Sequence, residues 1–458
     1  MEMILIKPNN LLNKSNLIGF CKKTRDTRIF YLIGITPFVI AYYTSVFYPG
    51  YLTSDSLYML AQGAGLQPLS NWHPPFITIL WGWLFSIFES AGGIWIIQIS
   101  LYIGAVLFFS TRIKSTVIAV ITFATLLLYP PIFTNMAALW KDCWVISTTL
   151  VCAAFSIQAI DSKKTAPLLF CIAFFVISSL IRIDYAVVAL PLLLGAILFS
   201  DNKRSTLTSK LKNKRTAHLI ISSLVALFIC GKIAGIKVVE KFNPWLSVAI
   251  WDIAGVESNS EQGVTVPGYR CATSDPLVFG ENKRFLVNLP AYSEGTSTNK
   301  ESEKYLKLWI ETITSNPIAY VKHRICVAKS FFGIGTEQVH YPKPNSEMSK
   351  SSLTQSAERS SLNLKLYWFY DKNAHGPMFR YWYYIAGSIA LFVFCVAAKK
   401  STIPQSIIFM SIIMAASRFL ILPAADFRYG LWIVIGSIAL IAISLDSLLT
   451  RRPEQITT

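Results

Sequence analysis

Charge is scarce in this chain: only 15% of its 458 residues are Asp, Glu, Lys or Arg, against roughly 25% in a soluble protein. The length would ordinarily suggest about three soluble domains. So few charges cannot cover their surfaces, and 53% of the residues are hydrophobic, with a mean hydropathy of +0.47. Also missing are a zinc-ligand spacing of cysteines, a phosphate-cradling GxxxxGK, a dinucleotide glycine pattern and a secretory cleavage signal. What is present is a series of apolar runs long enough to cross a bilayer, at both ends of the chain. The expectation is an all-α polytopic membrane protein.

The formal charge is +17, and its placement excludes a nucleic-acid reading, because no folded module presents a basic face. Lys7, Lys14, Lys22, Lys23, Arg25 and Arg28 outnumber Glu2 and Asp26 in an arm over residues 1–28. Lys203, Arg204, Lys210, Lys212, Lys214 and Arg215 face only Asp201 in a second run. Short basic segments beside spans stay in the cytoplasm. The first span, 29–48, therefore starts inside, and the polar segment 51–75, with Tyr51, Tyr58 and Trp72 suited to the headgroup layer, lies outside.

Apolar stretches follow at 76–88, 93–110, 115–130, 143–160, 166–181, 185–200 and 217–239. Arg112 with Lys114, Lys163 with Lys164, and 201–215 read as inside; 130–142 and 182–184 read as outside. That parity leaves no crossing for 76–88, which is expected to be re-entrant or to lie on the membrane surface. Residues 240–378 are rich in Ser, Thr, Asn and Gly and form an extracytoplasmic region. Spans at 381–397, 403–422 and 428–448 complete a 379–448 module after the 29–239 module, with Lys399, Lys400, Arg451 and the 449–458 tail inside. The sum is about ten spans with both termini cytoplasmic. Cys271 and Cys326 are the only cysteines of the outer region; a disulfide in an oxidising compartment and two unpaired thiols are both open.

The informative residues are polar groups that a bilayer disfavours. Asp55, just beyond the first span, is either a general base for an acceptor hydroxyl or the N-cap of a helix over 56–62. His73, before Pro74 and Pro75, can donate to a phosphate or an acceptor, or fix a turn. Lys141 and Asp142 open an apolar helix, where Asp142 is either a second acid at the reaction centre or an anion favoured by the helix dipole. Arg182 and Asp184 interrupt an apolar run at a cost of roughly 3 kcal/mol each if placed in lipid, and Arg418 has the same status. Asp426, Arg428 and Tyr429 follow at the outer end of that span. Arg182, Arg418 and Arg428 together would cradle a phosphate; Arg428 paired with Asp426 would be structural only. WDIAG at 251–255 and Asn316–Arg324 combine aromatics with polar groups, the second like an amphipathic approach to a membrane surface, and Trp309, Tyr320 and His323 serve equally as packing residues. These groups cluster at one face rather than at successive depths, which disfavours a channel or a secondary transporter.

The acid in Ser54-Asp55-Ser56 after the first span, His73-Pro74-Pro75, Pro130-Pro131 ahead of Lys141-Asp142, the large outer region and the C-terminal ADFRY resemble membrane glycosyltransferases of the GT-C class, which use polyprenyl-phosphate sugars. Bacterial O-antigen-modifying glucosyltransferases are the most similar in size. The resemblance implies a GT-C-like fold in a bacterial inner membrane, with the site facing the periplasm. It implies inverting transfer of a sugar, glucose in the nearest members, from undecaprenyl phosphate to a hydroxyl of a lipid-linked O-antigen or related glycan. In that picture Asp55 is the base and Asp142 the second acid. His73, Lys141, Arg182, Asp184, Arg418, Asp426, Arg428 and Tyr429 bind substrate, and a donor-supplying synthase and a flippase act beside it. Some members of the class use a divalent metal; Asp55 and Asp142 offer two ligands without an identifiable third, so no metal is expected to be required. A protein mannosyltransferase, a lipid A aminoarabinose transferase, and a lipid-linked oligosaccharide flippase or polymerase are the alternatives.

Overall fold

The computed structural model describes residues 14–200, 214–239, 241–260, 266, 269–273, 299–335, 361–374 and 376–450. Much of the basic arm, the 201–213 run, Arg451 and the rest of the tail, and large parts of 240–378 lie outside the described residues. Among the described residues the chain is helical, and strand pairing is limited to two isolated bridges, Tyr51 with Ala138 and Thr273 with Ala424.

The helices are α1 (Lys14–Phe47), α2 (Ser54–Gly63), α3 (Pro75–Phe88), α4 (Ala91–Ser110), α5 (Thr116–Leu128), α6 (Pro130–Met136), α7 (Lys141–Ser162), α8 (Thr165–Ile181), α9 (Tyr185–Phe199) and α10 (Lys214–Gly235). The 240–378 region supplies α11 (Trp245–Asn259), α12 (Asn299–Ser315), α13 (Pro317–Phe332) and α14 (Ser361–Asn373). The chain closes with α15 (Tyr381–Ala397), α16 (Ile403–Ser417) and α17 (Leu431–Thr450). Prolines open α3, α6 and α13 at positions where a missing N–H costs nothing. Residues 130–142, expected as an outer loop, are instead α6 and a buried segment whose Leu139 N–H donates to Tyr51 O.

Six helices are long and apolar enough to cross a membrane, and the α5–α6 pair, bent by 53°, makes a seventh if it counts as one span. By length and composition the total is therefore six or seven where ten were expected. The shortfall is geometric. Helices α8, α9 and α15 have 17, 15 and 17 residues, which rise about 22 to 26 Å at about 1.5 Å per residue, short of a roughly 30 Å hydrocarbon core.

Contacts between helix termini sort them into two ends. At one end Asp446 accepts from the backbone N–H of Lys114 and Ser115 at 3.0 and 2.7 Å, and Lys163 Nζ donates to Phe199 O. The last turn of α17, the start of α5 and the turns after α7 and α9 thus meet. At the other end, Tyr51, Asp55, His73, the start of α7, the 182–184 turn and 418–429 converge. Helix α3 has both ends there: it begins at His73-Pro74, and α4, which starts two residues after its cap, packs Gly92 against Tyr48 and Pro49. Segment 76–88 accordingly stays on one side of the bundle.

Lipid tails are as apolar as leucine, so helices inside a bilayer are held by close packing and interhelical hydrogen bonds rather than by hydrophobic burial. The bundle carries the corresponding groups. Ser156 Oγ donates to Leu192 O (2.7 Å), Ser411 Oγ to Val188 O (2.6 Å), Trp432 Nε1 to Ser411 Oγ (2.9 Å) and Ser178 Oγ to Thr148 Oγ1 (2.8 Å). Glycine permits one contact outright: a Cβ on Gly82 would lie 2.1 Å from Gly63 O, so α2 and α3 cross backbone to backbone. The 240–378 region is tied to the polar end of the bundle by Asn363, which donates to Val46 O and accepts from Tyr51 OH, both at 2.9 Å.

Candidate functional site

Helix α2 begins with a capping box between Thr53 and Ser56, an arrangement that contributes about 1 kcal/mol. Thr53, not Asp55, is therefore the N-cap. The Asp55 carboxylate, 35% exposed, instead accepts from Arg428 Nη1 at 2.7 Å. Its other oxygen lies 4.0 Å from His73 Nε2. Burial raises the pKa of this carboxyl, but the charges of Arg428 and Lys141 and the Arg428 hydrogen bond outweigh it. The group stands well below the ordinary carboxylate range.

His73 is buried, and Lys141 Nζ lies 2.6 Å from its Nδ1. Burial first, then the Lys141 charge, hold the imidazole well below its ordinary value despite Asp55. The ring is neutral. A lysine ammonium can only donate, so Nδ1 accepts and the proton sits on Nε2, the nitrogen nearer Asp55.

Asp142, 1% exposed, pairs with Arg182 Nη1 through Oδ1, while its Oδ2 is buried without a hydrogen-bond partner among the described residues. Arg182 forms a fork on Asp184, Nε to Oδ1 and Nη2 to Oδ2 at 3.0 Å each. Asp184 also accepts from Arg418, from Nε at 2.9 Å and from Nη2. Arg418 in turn donates to Tyr429 O at 2.7 Å and stacks on Tyr185 at 4.4 Å. Arg428 is held by Asp426 at 2.9 Å and lies over the Trp140 ring at 4.8 Å. The Tyr429 ring joins the two halves, with Arg182 at 4.6 Å and Arg428 at 5.0 Å from its centre.

All ten candidate residues, drawn from five separate stretches of sequence, thus meet in one network at one end of the bundle. Asp55, Asp142, Asp184 and Asp426 face Lys141, Arg182, Arg418 and Arg428, so the formal charges balance. The three arginines do converge, but each is engaged with carboxylates: Arg428 with Asp55 and Asp426, Arg418 with Asp184, and Arg182 with Asp142 and Asp184. Asp55, Met59, Trp81, Trp140, Lys141, Asp142 and Arg428 line a gap too narrow to hold a water molecule. Among the described residues no three His, Cys, Asp or Glu side chains are grouped to hold a metal ion.

Sequence reasoning passed over Trp140 and Tyr185, the aromatic faces that carry two of the arginines; their only signal was adjacency to Lys141 and Asp184. It gave WDIAG no role, and it read Asn316–Arg324 as an amphipathic approach to a membrane surface or as ordinary packing. Asp252 accepts from Arg324 Nη2 (2.7 Å) and Trp309 Nε1 (2.9 Å) and lies 3.0 Å from His323 Nε2. Tyr269 OH meets His323 Nδ1 at 2.8 Å, and a disulfide joins Cys271 to Cys326. His323 packs against Gly255, where a Cβ would come within 2.2 Å of the ring. The two segments are the halves of one buried clamp between α11 and α13.

Comparison of the chain with protein-family models, curated proteins and solved structures finds no match. Fold and site together define an all-α polytopic membrane protein with a charge-balanced polar network at one end of its helical bundle.

Proposed function

We propose that the chain is a GT-C-like glycosyltransferase of a bacterial inner membrane. It transfers a sugar from undecaprenyl phosphate to a hydroxyl of a lipid-linked O-antigen or related glycan at the periplasmic face. The observation that carries this reading is the partly exposed Asp55 carboxylate, fixed by Arg428 at 2.7 Å, with His73, Lys141 and Asp142 around it. On this reading the helices running between the two ends make ten crossings, the shorter ones through locally thinned lipid. Residues 240–378 and the site then share the outer side.

In the proposed reaction the acceptor oxygen attacks the anomeric carbon as the bond to the lipid phosphate breaks. The acceptor proton passes to Asp55, and the electron pair leaves with the phosphate. A carboxylate held below its ordinary range is ionised at neutral pH and is a weak base, so it takes the proton late, when bond formation has made the hydroxyl acidic. Arg428 can exchange Asp55 for a phosphate oxygen while Asp426 keeps it in place, which supplies the charge stabilisation that the leaving group needs. Asp142 Oδ2 is left to receive a sugar hydroxyl.

The test uses purified full-length protein in lipid nanodiscs with undecaprenyl-phosphate glucose and lipid-linked glycan. Asp55→Asn is expected to lower transfer by roughly 10²- to 10⁴-fold with donor binding retained. Unchanged turnover in D55N would remove the base assignment. Labelling of a protein acceptor after removal of all glycan would replace the acceptor class.

A further inference from the structure

Helices α12 and α13 meet at Asn316-Pro317, and each packs on α11. Helix α13 buries Ala319, His323, Arg324, Val327 and Phe331 on one side. Its other side is apolar yet uncovered: Ile318, Val321 and Ile325 are 73%, 53% and 50% exposed, and α12 adds Leu306 at 42% and Ile310 at 52%. Spacings of three, four and seven residues align these side chains in one stripe on each helix. A helix facing water would carry polar groups there, and a contiguous apolar strip of this kind marks an interaction surface.

Three contacts fix where this stripe lies. Phe332 packs on Phe419 at 5.5 Å, Phe331 on Tyr381 at 5.4 Å, and Arg324 Nη1 donates to Phe419 O at 3.4 Å. Phe419 belongs to the membrane-long helix Ile403–Leu420, and its neighbours Leu420 and Ile421 are 49% and 53% exposed. Phe332 sits seven residues after Ile325, on the same stripe, so the uncovered face of α13 runs directly into the lipid-facing end of a span. Lys322 and Lys329 flank the stripe, and α13 contains no acidic residue. Their long stems can lie along apolar surface while the ammonium groups reach lipid phosphates.

We propose that the α12–α13 pair is a membrane-surface element. It seats Leu306, Ile310, Ile318, Val321 and Ile325 at the boundary of headgroups and acyl chains in an anionic leaflet, with Lys322 and Lys329 on the lipid phosphates. Through Arg324 and the buried Asp252 this seating braces Phe419, the residue next to Arg418, so the lipid surface and the polar network share one rigid link. The inference stands on the membrane character of the chain alone and not on sugar transfer.

The test is collision accessibility of a nitroxide amino acid at position 321 of the full-length chain, with native cysteines intact. The protein is reconstituted in vesicles of phosphatidylcholine alone or mixed with phosphatidylglycerol. At position 321 oxygen is expected to outcompete a water-soluble nickel chelate several-fold more than at position 311, where the native Glu311 side chain is 60% exposed. The label is expected to sit deeper in the phosphatidylglycerol vesicles, and Lys322→Glu with Lys329→Glu should abolish that dependence. Nickel access at 321 equal to that at 311 overturns the proposal. So does a label shielded from both reagents, the mark of a second copy of the chain on this face. Equal depth in the two lipids overturns the pairing with headgroups.

Discussion

At the scale of single residues, Asp184 holds the most exacting position, because two arginines depend on one carboxylate. Removing one partner of a buried pair costs about 3–5 kcal/mol, since the remaining charge is left uncompensated. Asp184→Asn is therefore expected to lower the melting temperature of detergent-purified protein by several degrees. Asp426→Asn, whose partner Arg428 retains Asp55, should have a smaller effect. The histidines set the pH dependence. His73 and His323 both stand below their ordinary 6.5, chiefly through burial, so the unfolded chain binds protons that the folded chain refuses. Stability is thus full above pH 6.5 and is lost as pH falls from there through the folded values. The Asp55 carboxyl adds a further loss only below its ordinary 3.8. Melting curves recorded through this range, with His73→Gln reducing the upper step, check the sign. These residue types and their clustering at one face were legible in the sequence, because ionisable groups stand out in apolar surroundings. Their partners were not. The Lys141 contact with His73 and the Arg428 contact with Asp55 join residues far apart in the chain, and no local pattern encodes such pairings.

Among the elements, the α2–α3 crossing carries Asp55 and His73 into register, and it rests on two glycines. Gly82→Ala puts a methyl group 2.1 Å from Gly63 O, so the helices must separate. On the proposed reading the expected outcome is loss of sugar transfer together with a lowered melting temperature, whereas Gly104→Ala, which meets nothing within 4 Å, should leave both unchanged. The disulfide closes a loop of 55 residues, for which the chain-entropy estimate is about 4 kcal/mol. Reduction, or Cys271→Ser with Cys326→Ser, is expected to loosen α11 against α13, seen as faster amide exchange in 245–259. Helix positions followed the apolar runs closely from 76 to 239 and from 381 onward, since a bilayer demands long uninterrupted stretches. Short α6 escaped notice because Pro130 and Pro131 read as a loop, although a proline at the start of a helix is well tolerated. The clamp of Asp252, His323 and Arg324 was visible only as two separate segments that combine aromatics with polar groups.

On the scale of the whole molecule, the sorting of helix termini into two ends makes sidedness measurable. Reagents that do not cross membranes should label single cysteines placed at positions 67 and 260 on one side, and at 112 and 200 only after permeabilisation. Labelling of 67 and 112 from the same side would refute that arrangement. Composition revealed the class of molecule at once, because the scarcity of charge comes together with apolar runs long enough to cross a bilayer. The number of spans was harder to read, since hydropathy counts residues while a crossing depends on rise, tilt and membrane thickness.

The balance of four acids against four bases has a kinetic corollary. A site without net charge exerts little pull on a distant anion, and close pairs inside a protein are shielded little by dissolved ions. On the proposed reading the donor arrives by sideways diffusion within its leaflet instead of being drawn in through water. The apparent KM for it should then barely change as sodium chloride is added.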